Sequence, residues 1–181
     1  MYYKTVYQSP VGTLTLACDE TGGSLVGLWI EGQKYYGGAI RETMTENSGL
    51  PVFGITKKWL DRYFAGGRPD CHELPLAPVG SEFRQEVWAI LREIPYGKVT
   101  TYGDIAKKAA ANMGRKSMSG QAVGGAVGHN PISIIIPCHR VIGGNGSLTG
   151  YAGGIQAKIQ LLELEGVDLS RMSVPKTGSA L

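Results

Sequence analysis

Residues 119–142 read SGQAVGGAVGHNPISIIIPCHRVI. Ser119 can cap a short helix that carries almost no side-chain bulk and ends near Gly128, before Asn130-Pro131. The apolar run that follows predicts a buried strand. Pro137 stops it, and a thiol, an imidazole and a guanidinium come next as Cys138, His139 and Arg140.

The flanking sequence gives this stretch its setting. Upstream, KVTTYGDIAKKAAA predicts a helix with Thr101 as N-cap and Asp104 in its first turn. The polar turn NMGRKSM separates it from the glycine-rich helix, so the pair forms a helix-turn-helix candidate. SEFRQEVWAILREIPYG predicts another helix, capped by Ser81, with Phe83, Val87, Ile90, Leu91 and Ile94 on one face and Pro95 at its end. Downstream, GGNGSLTGYAGG is a loop, and IQAKIQLLELEG predicts an amphipathic helix closed by Gly166. The first thirty residues alternate as three short strands joined by tight turns, an antiparallel meander. YYGGAIRETM is ambiguous. TKKWLDRYFAGG predicts a helix with Thr56 as N-cap, Trp59, Leu60, Tyr63 and Phe64 on one face, and Gly66 as stop. The fold class expected is α/β (α+β). A small antiparallel-sheet lobe with helices occupies 1–68, a proline-rich linker 69–80, a mostly helical domain with the helix-turn-helix 81–168, and a tail 169–181.

The chain has 181 residues, 43% of them apolar, enough for a substantial core. No apolar run approaches the roughly 20 residues that span a bilayer, and the N-terminus lacks a signal-peptide layout. A cytoplasmic location with no membrane partner is expected. Three scattered cysteines, Cys18, Cys71 and Cys138, argue against a disulfide framework. A net charge of +3 is compatible with nucleic acid without demanding it.

Several residues carry candidate chemistry, each beside a plainer reading. Cys138 is either a small buried hydrophobe or a nucleophile that His139 helps to deprotonate. Neighbouring side chains on a strand point to opposite faces, so the pair needs a turn or a water between them. Cys71-His72 lacks zinc-ligand spacing and reads as an exposed linker pair. The glycine-rich helix offers only Gln121 to read base edges. Its small residues suit either close packing against a neighbouring helix or close approach to a minor groove. The GGNGSLTGYAGG loop lacks the lysine of a P-loop and the context of a dinucleotide fingerprint. Tyr151, between glycines, can wall a pocket for a flat ring. Glu165 is either a solvated charge at a helix end or the partner of an imidazole.

IPCHRV, preceded by AVGGAVGHNP and followed by GYAGG and LLELEG, resembles the O6-alkylguanine-DNA alkyltransferases from about Phe83 to Gly166. The resemblance implies a ribonuclease H-like first lobe, no cofactor, and a monomer acting on double-stranded DNA that contains alkylated bases. The helix-turn-helix would approach from the minor groove and the damaged base would be flipped out. Cys138 would take the alkyl group from O6-alkylguanine, and from O4-alkylthymine, in one displacement that consumes the thiol.

Roles carry over residue by residue. His139 would act on Cys138 through a water, held by Glu165. Asn130 would bridge the helix-turn-helix to the active-site turn. Tyr102 would donate to the departing guanine. The carbonyls of Cys138 and Val141 would accept from its amino group. Tyr151, Ala152 and Gly153 would line the pocket, with the Ala152 N–H addressing O6. Arg140 would hold the lobes or the turn together. Ser119, Gln121, Ala122, Gly124 and Gly125, with Arg115 and Lys116 of the turn, would face DNA. Gln121 departs from the family's usual arginine, so base flipping is expected to persist with weaker DNA affinity. The family's zinc ligands have no counterpart, so no metal is expected. The other classes weighed are a non-catalytic binder of alkylated DNA, a DNA-binding regulator and a Cys-His hydrolase.

Overall fold

In the computed structural model, which describes residues 1–175, the chain begins with a four-stranded sheet. Strands β1 (Tyr2–Ser9), β2 (Gly12–Cys18) and β3 (Leu25–Ile30) form the expected antiparallel meander. A fourth strand, β4 (Met44–Glu46), which begins at the last residue of the ambiguous stretch, pairs with β1 in parallel, giving the order β3-β2-β1-β4. The period-two pattern sorts the faces. Leu14, Leu16 and Cys18 enter the main core, whereas Ala17, Val26 and Trp29 pack on the opposite side. Gly27 is required there, because a Cβ would fall 2.1 Å from the Trp29 ring.

Helix α1 (Pro51–Phe64) covers the sheet. It starts five residues before the predicted Thr56 cap. Pro51 stands at N1, where its missing N–H costs nothing and its fixed φ suits a helix, and Leu50 caps without a side-chain bond. Thr56 is therefore buried in mid-helix with its hydroxyl unpaired among the described residues. Trp59, Leu60 and Tyr63 are buried as expected. Residues 69–80 do not hang free. Leu25 N–H donates to Pro75 O and Ala77 N–H to Leu25 O, each at 2.8 Å, so this segment runs along the β3 edge. Cys71, expected to be exposed, is buried in a single 3₁₀ turn, while His72 stays at the surface.

The second half is mostly helical: α2 (Glu82–Arg92), α3 (Tyr102–Asn112), α4 (Gly120–Gly128) and α5 (Ile155–Leu164). Three predicted N-caps are made. Ser81 accepts from Arg84 N–H, Thr101 from Asp104 N–H and Ser119 from Ala122 N–H. Trp88 Nε1 donates to Ala126 O at 2.9 Å and ties α2 to α4. Two short strands, β5 (Thr100–Thr101) and β6 (Val141–Ile142), pair in parallel. After α5 the chain returns to the 143–149 loop, where Leu148 N–H donates to Ser173 O and Ser173 N–H to Gly146 O. One core joins the halves, with Leu16, Phe53 and Leu60 in the same connected buried cluster as Leu91, Ile105, Val123, Ile136 and Leu161. No helix of the described residues is long and apolar enough to cross a membrane.

Candidate active site

The run at 132–136 is not a strand. Ile132 makes one isolated bridge to Leu28, and the next residues turn. Ile134 lies at φ +72, a left-handed conformation that a β-branched residue rarely adopts. Asn130 enforces the turn. Its Nδ2 donates to Ile136 O at 2.7 Å, and its Oδ1 accepts from Ile132 N–H at 3.0 Å. Leu28 N–H to Pro131 O and Ser133 N–H to Leu28 O pin the loop to β3. A buried apolar run satisfies the same periodicity whether extended or turned, and here one amide side chain decides. At Pro137 (φ −82, ψ 64) an inverse γ-turn follows, with Cys138 N–H donating to Ile136 O at 2.8 Å. A 3₁₀ turn over Cys138–Arg140 then carries the thiol and the imidazole, both buried, on consecutive residues of one tight bend.

Cys138 is a free thiol, 5% exposed. Burial pushes its pKa up, opposed by the Asn130 amide and the Lys158 ammonium. His139 is fully buried, and its Nε2 lies 2.5 Å from Glu165 Oε2, a residue 26 positions downstream at the end of α5. An ionised carboxylate can only accept, so Nε2 carries the hydrogen, and the lone pair of the neutral ring sits on Nδ1. That nitrogen is buried and has no partner among the described residues.

Glu165 also accepts from Arg140 Nε (2.7 Å) and Nη2 (3.2 Å), Gly97 N–H (3.1 Å) and Tyr63 Oη (2.6 Å). Burial alone would raise its pKa. The bonds from His139 and Arg140 outweigh that and hold the carboxyl well below its ordinary range. For His139, burial lowers the pKa and Glu165 partly offsets it. Arg140 Nη1 reaches Ile94 O at 2.6 Å, so Arg140 braces the turn against Glu165 and the α2–β5 connection.

Tyr102, the first residue of α3, donates from Oη to Thr149 O at 3.0 Å. Burial and then the nearby Cys138 push its phenol up to about 12. Gly150 makes room for it, because a Cβ there would sit 2.5 Å from the Tyr102 hydroxyl. The Tyr151 ring stands edge-on to His139 at 6.5 Å. Its neighbour Gly153 is fixed by space, since a Cβ would meet the Tyr151 ring at 2.8 Å and Ile30 at 2.7 Å. Ala152 is half-buried, and its carbonyl accepts from Lys34 N–H.

Val141 is buried, and its carbonyl accepts from Lys158 Nζ at 2.5 Å. The same ammonium reaches Thr149 O at 2.8 Å. Lys158 and Tyr63 are the residues that sequence reasoning missed. A signal existed for Lys158, which lies on the apolar stripe of α5 with Leu161, Leu162 and Glu165, where a solvated lysine does not belong. None existed for Tyr63, which looks like ordinary helix core.

The turn and α4 present a separate surface. Arg115, Lys116, Ser119, Gln121, Ala122 and Gly125 are exposed and Gly124 is half-buried, while Val123, Ala126 and Val127 face the core. A Cβ on Gly120, Gly124, Gly125 or Gly128 would meet nothing else in the protein within 4 Å. Packing against a neighbouring helix therefore does not explain these glycines. Asn130 links this surface to the thiol.

A cleft of about 380 Å³ lies elsewhere, between Trp59, Cys71, Arg92, Tyr96 and Arg140, and Cys138 is not part of its lining. At its rim the ligand atoms of Asp70, Cys71 and His72 lie within 4.8 Å of one another. Asp70 Oδ1 is occupied as a cap by His72 N–H and Nδ1, and the Cys71 thiol points to Arg92 O.

Comparison with known proteins adds the relatives. Residues 1–78 match the family model for the ribonuclease-like domain of 6-O-methylguanine DNA methyltransferase, and residues 82–167 match the model for its DNA binding domain. A methylated-DNA–protein-cysteine methyltransferase of Methanosarcina acetivorans is 45% identical over 92% of this chain and 99% of its own. One from Haemophilus influenzae is 42% identical over 90% and 86%. The crystal structure of Mycobacterium tuberculosis O6-methylguanine methyltransferase is similar with a TM-score of 0.76, at 42% identity over 91% of this chain and 93% of that one. The Mycobacterium tuberculosis protein in complex with DNA gives 0.75, at 41% identity over 94% of each chain.

Proposed function

The chain belongs to the 6-O-methylguanine DNA methyltransferase family, enzymes that repair DNA by alkyl transfer to a protein cysteine, and we propose that Cys138 is the acceptor and is consumed in one turnover. The substrate is O6-alkylguanine, with O4-alkylthymine as a second, in duplex DNA. The observation that carries the reading is the buried His139–Glu165 pair beside Cys138, on a turn that Asn130 staples to α4.

The residues divide the work as follows. The damaged base is rotated out of the duplex, since Cys138 is buried and an intact stack cannot enter. A water relays the thiol proton to His139 Nδ1, and Glu165 stabilises the imidazolium that forms. The sulfur attacks the alkyl carbon, an S–C bond forms, and the C–O6 bond breaks. The guanine leaves with the electron pair and is neutralised by a hydrogen bond or proton from Tyr102. That phenol keeps its proton at neutral pH, so it is a donor. The Val141 carbonyl and the Ala152 N–H recognise the base, and Tyr151 walls it. A thioether does not hydrolyse, so each molecule acts once; one chain carries the acceptor, the base and the DNA-facing helix, and it acts as a monomer. The exposed α4 glycines let that helix come close to the minor groove, with Gln121 entering the stack and Arg115 and Lys116 on phosphates.

The test is the mass of the intact protein after incubation with duplex DNA containing O6-methylguanine. A gain of one methylene per molecule, mapped to Cys138 and lost in Cys138→Ser, is expected. No gain, a gain elsewhere, or turnover without a gain overturns the reading, the last of these in favour of a hydrolase.

A further inference from the structure

We propose that Tyr63, in the first lobe, is a positioning residue of the transfer reaction, acting through the Glu165 oxygen that also holds His139. This rests on the function proposed above. It gives the first lobe, which supplies neither the acceptor thiol nor the helix-turn-helix, a part in the chemistry.

The geometry is specific. Tyr63 sits in the last turn of α1, 1% exposed. Its ring is stacked on Trp59 at 5.6 Å and met edge-on by Tyr96 at 6.1 Å. That packing aims the hydroxyl across the lobe junction, where it donates to Glu165 Oε2 at 2.6 Å. His139 Nε2 uses the same oxygen, at 2.5 Å. Among the described residues the other donors to Glu165, namely Gly97, Arg140 and His139, come from the second half of the chain. Tyr63 is thus the first lobe's contact with the acid–base pair.

Sharing an oxygen has a chemical consequence. Each donor withdraws negative charge from Oε2, and that charge is what holds a proton on His139. With the Tyr63 hydroxyl in place, the imidazole gives up its proton more readily and stands ready as a base at neutral pH. Without it, the carboxylate binds the imidazolium more tightly, and the base is recovered only at higher pH. The phenol keeps its proton, because burial and then the charge of Glu165 hold it well above its ordinary range. The other charged or titratable groups facing the pair are Arg140, Tyr96, Tyr151 and Lys158, and Tyr63→Phe leaves all four in place.

The experiment measures the single-turnover rate of alkyl transfer against pH for the full chain. Tyr63→Phe should move the midpoint of the profile upward by about one pH unit, slowing transfer about tenfold on the acid limb of the profile and leaving the alkaline plateau at the wild-type rate. Trp59→Phe, which loosens the same packing but leaves the hydroxyl, should lower Tm without moving the midpoint. A wild-type midpoint in Tyr63→Phe overturns the proposal, as does an equal shift in both variants. Should Tyr63→Phe fail to fold, difluorotyrosine at position 63 keeps the hydroxyl and makes it a stronger donor. The midpoint should then move down, and an unchanged or raised midpoint overturns the proposal. If wild type itself transfers no alkyl group, it is the proposed function that has failed.

Discussion

Glu165 collects bonds from His139, Arg140, Gly97 and Tyr63, so it is the residue on which pH acts most directly. Its folded carboxyl lies well below the ordinary 4.5, so the unfolded chain binds more protons in that window. The stability it contributes is complete above about pH 4.5 and is lost as pH falls towards the folded value. Denaturant midpoints measured from pH 7 downward should show that loss. Glu165→Gln should be less stable at pH 7 by about 3 kcal/mol, because Arg140 loses its counter-charge and the His139 Nε2–H its charged acceptor, and its stability should fall less steeply below pH 4.5. A variant with the wild-type pH dependence would show that another carboxylate governs acid unfolding. Lys158 bears on the pocket differently, since its ammonium clamps the Val141 and Thr149 carbonyls. Lys158→Met takes a charged donor from each, leaving Thr149 O with the Tyr102 hydroxyl, and should lower stability by about 1.5–3 kcal/mol in urea unfolding.

Helix α4 trades its own stability for a bare surface. Its glycines contact nothing within the protein, so Gly125→Ala should raise stability by about 0.5–1 kcal/mol. The same methyl stands on the exposed face, so affinity for duplex DNA should fall. A calorimetric Tm together with a binding titration checks both, and unchanged affinity would remove the reason given for the glycines. Gln121→Arg should strengthen duplex binding and steepen its dependence on log salt by about one unit, the signature of one added positive charge in the complex. If affinity and repair rate both stay at wild type, Gln121 is not the deficit we take it for.

At this scale much was legible in the sequence. Ser81, Thr101 and Ser119 announce their helices because a cap is a local event. The start of α1 was missed because Pro51 and Leu50 leave no side-chain cap to read. The misread element, 132–136, turns because of Asn130, a contact that periodicity does not encode. The pairing of His139 with Glu165 spans 26 residues, and the residues alone left it as one of two readings of Glu165 that only the resemblance decided between.

The whole molecule shares one core, and its lobes meet through Tyr63, Glu165 and Arg140. Thermal unfolding followed by tryptophan fluorescence, with Trp29 and Trp59 in one half and Trp88 in the other, should coincide with the loss of helix seen by circular dichroism. Two separated transitions would mean that the lobes are energetically independent. The segment beyond α5 belongs to this unit as well. Ser173 exchanges hydrogen bonds with Gly146 and Leu148, in the loop that goes on to Thr149 and Tyr151. Whoever handles this protein therefore meets a practical constraint. An affinity tag, a dye or a trimmed terminus placed between residues 167 and 175 is mechanically coupled to the pocket wall, and it changes the reagent along with the label.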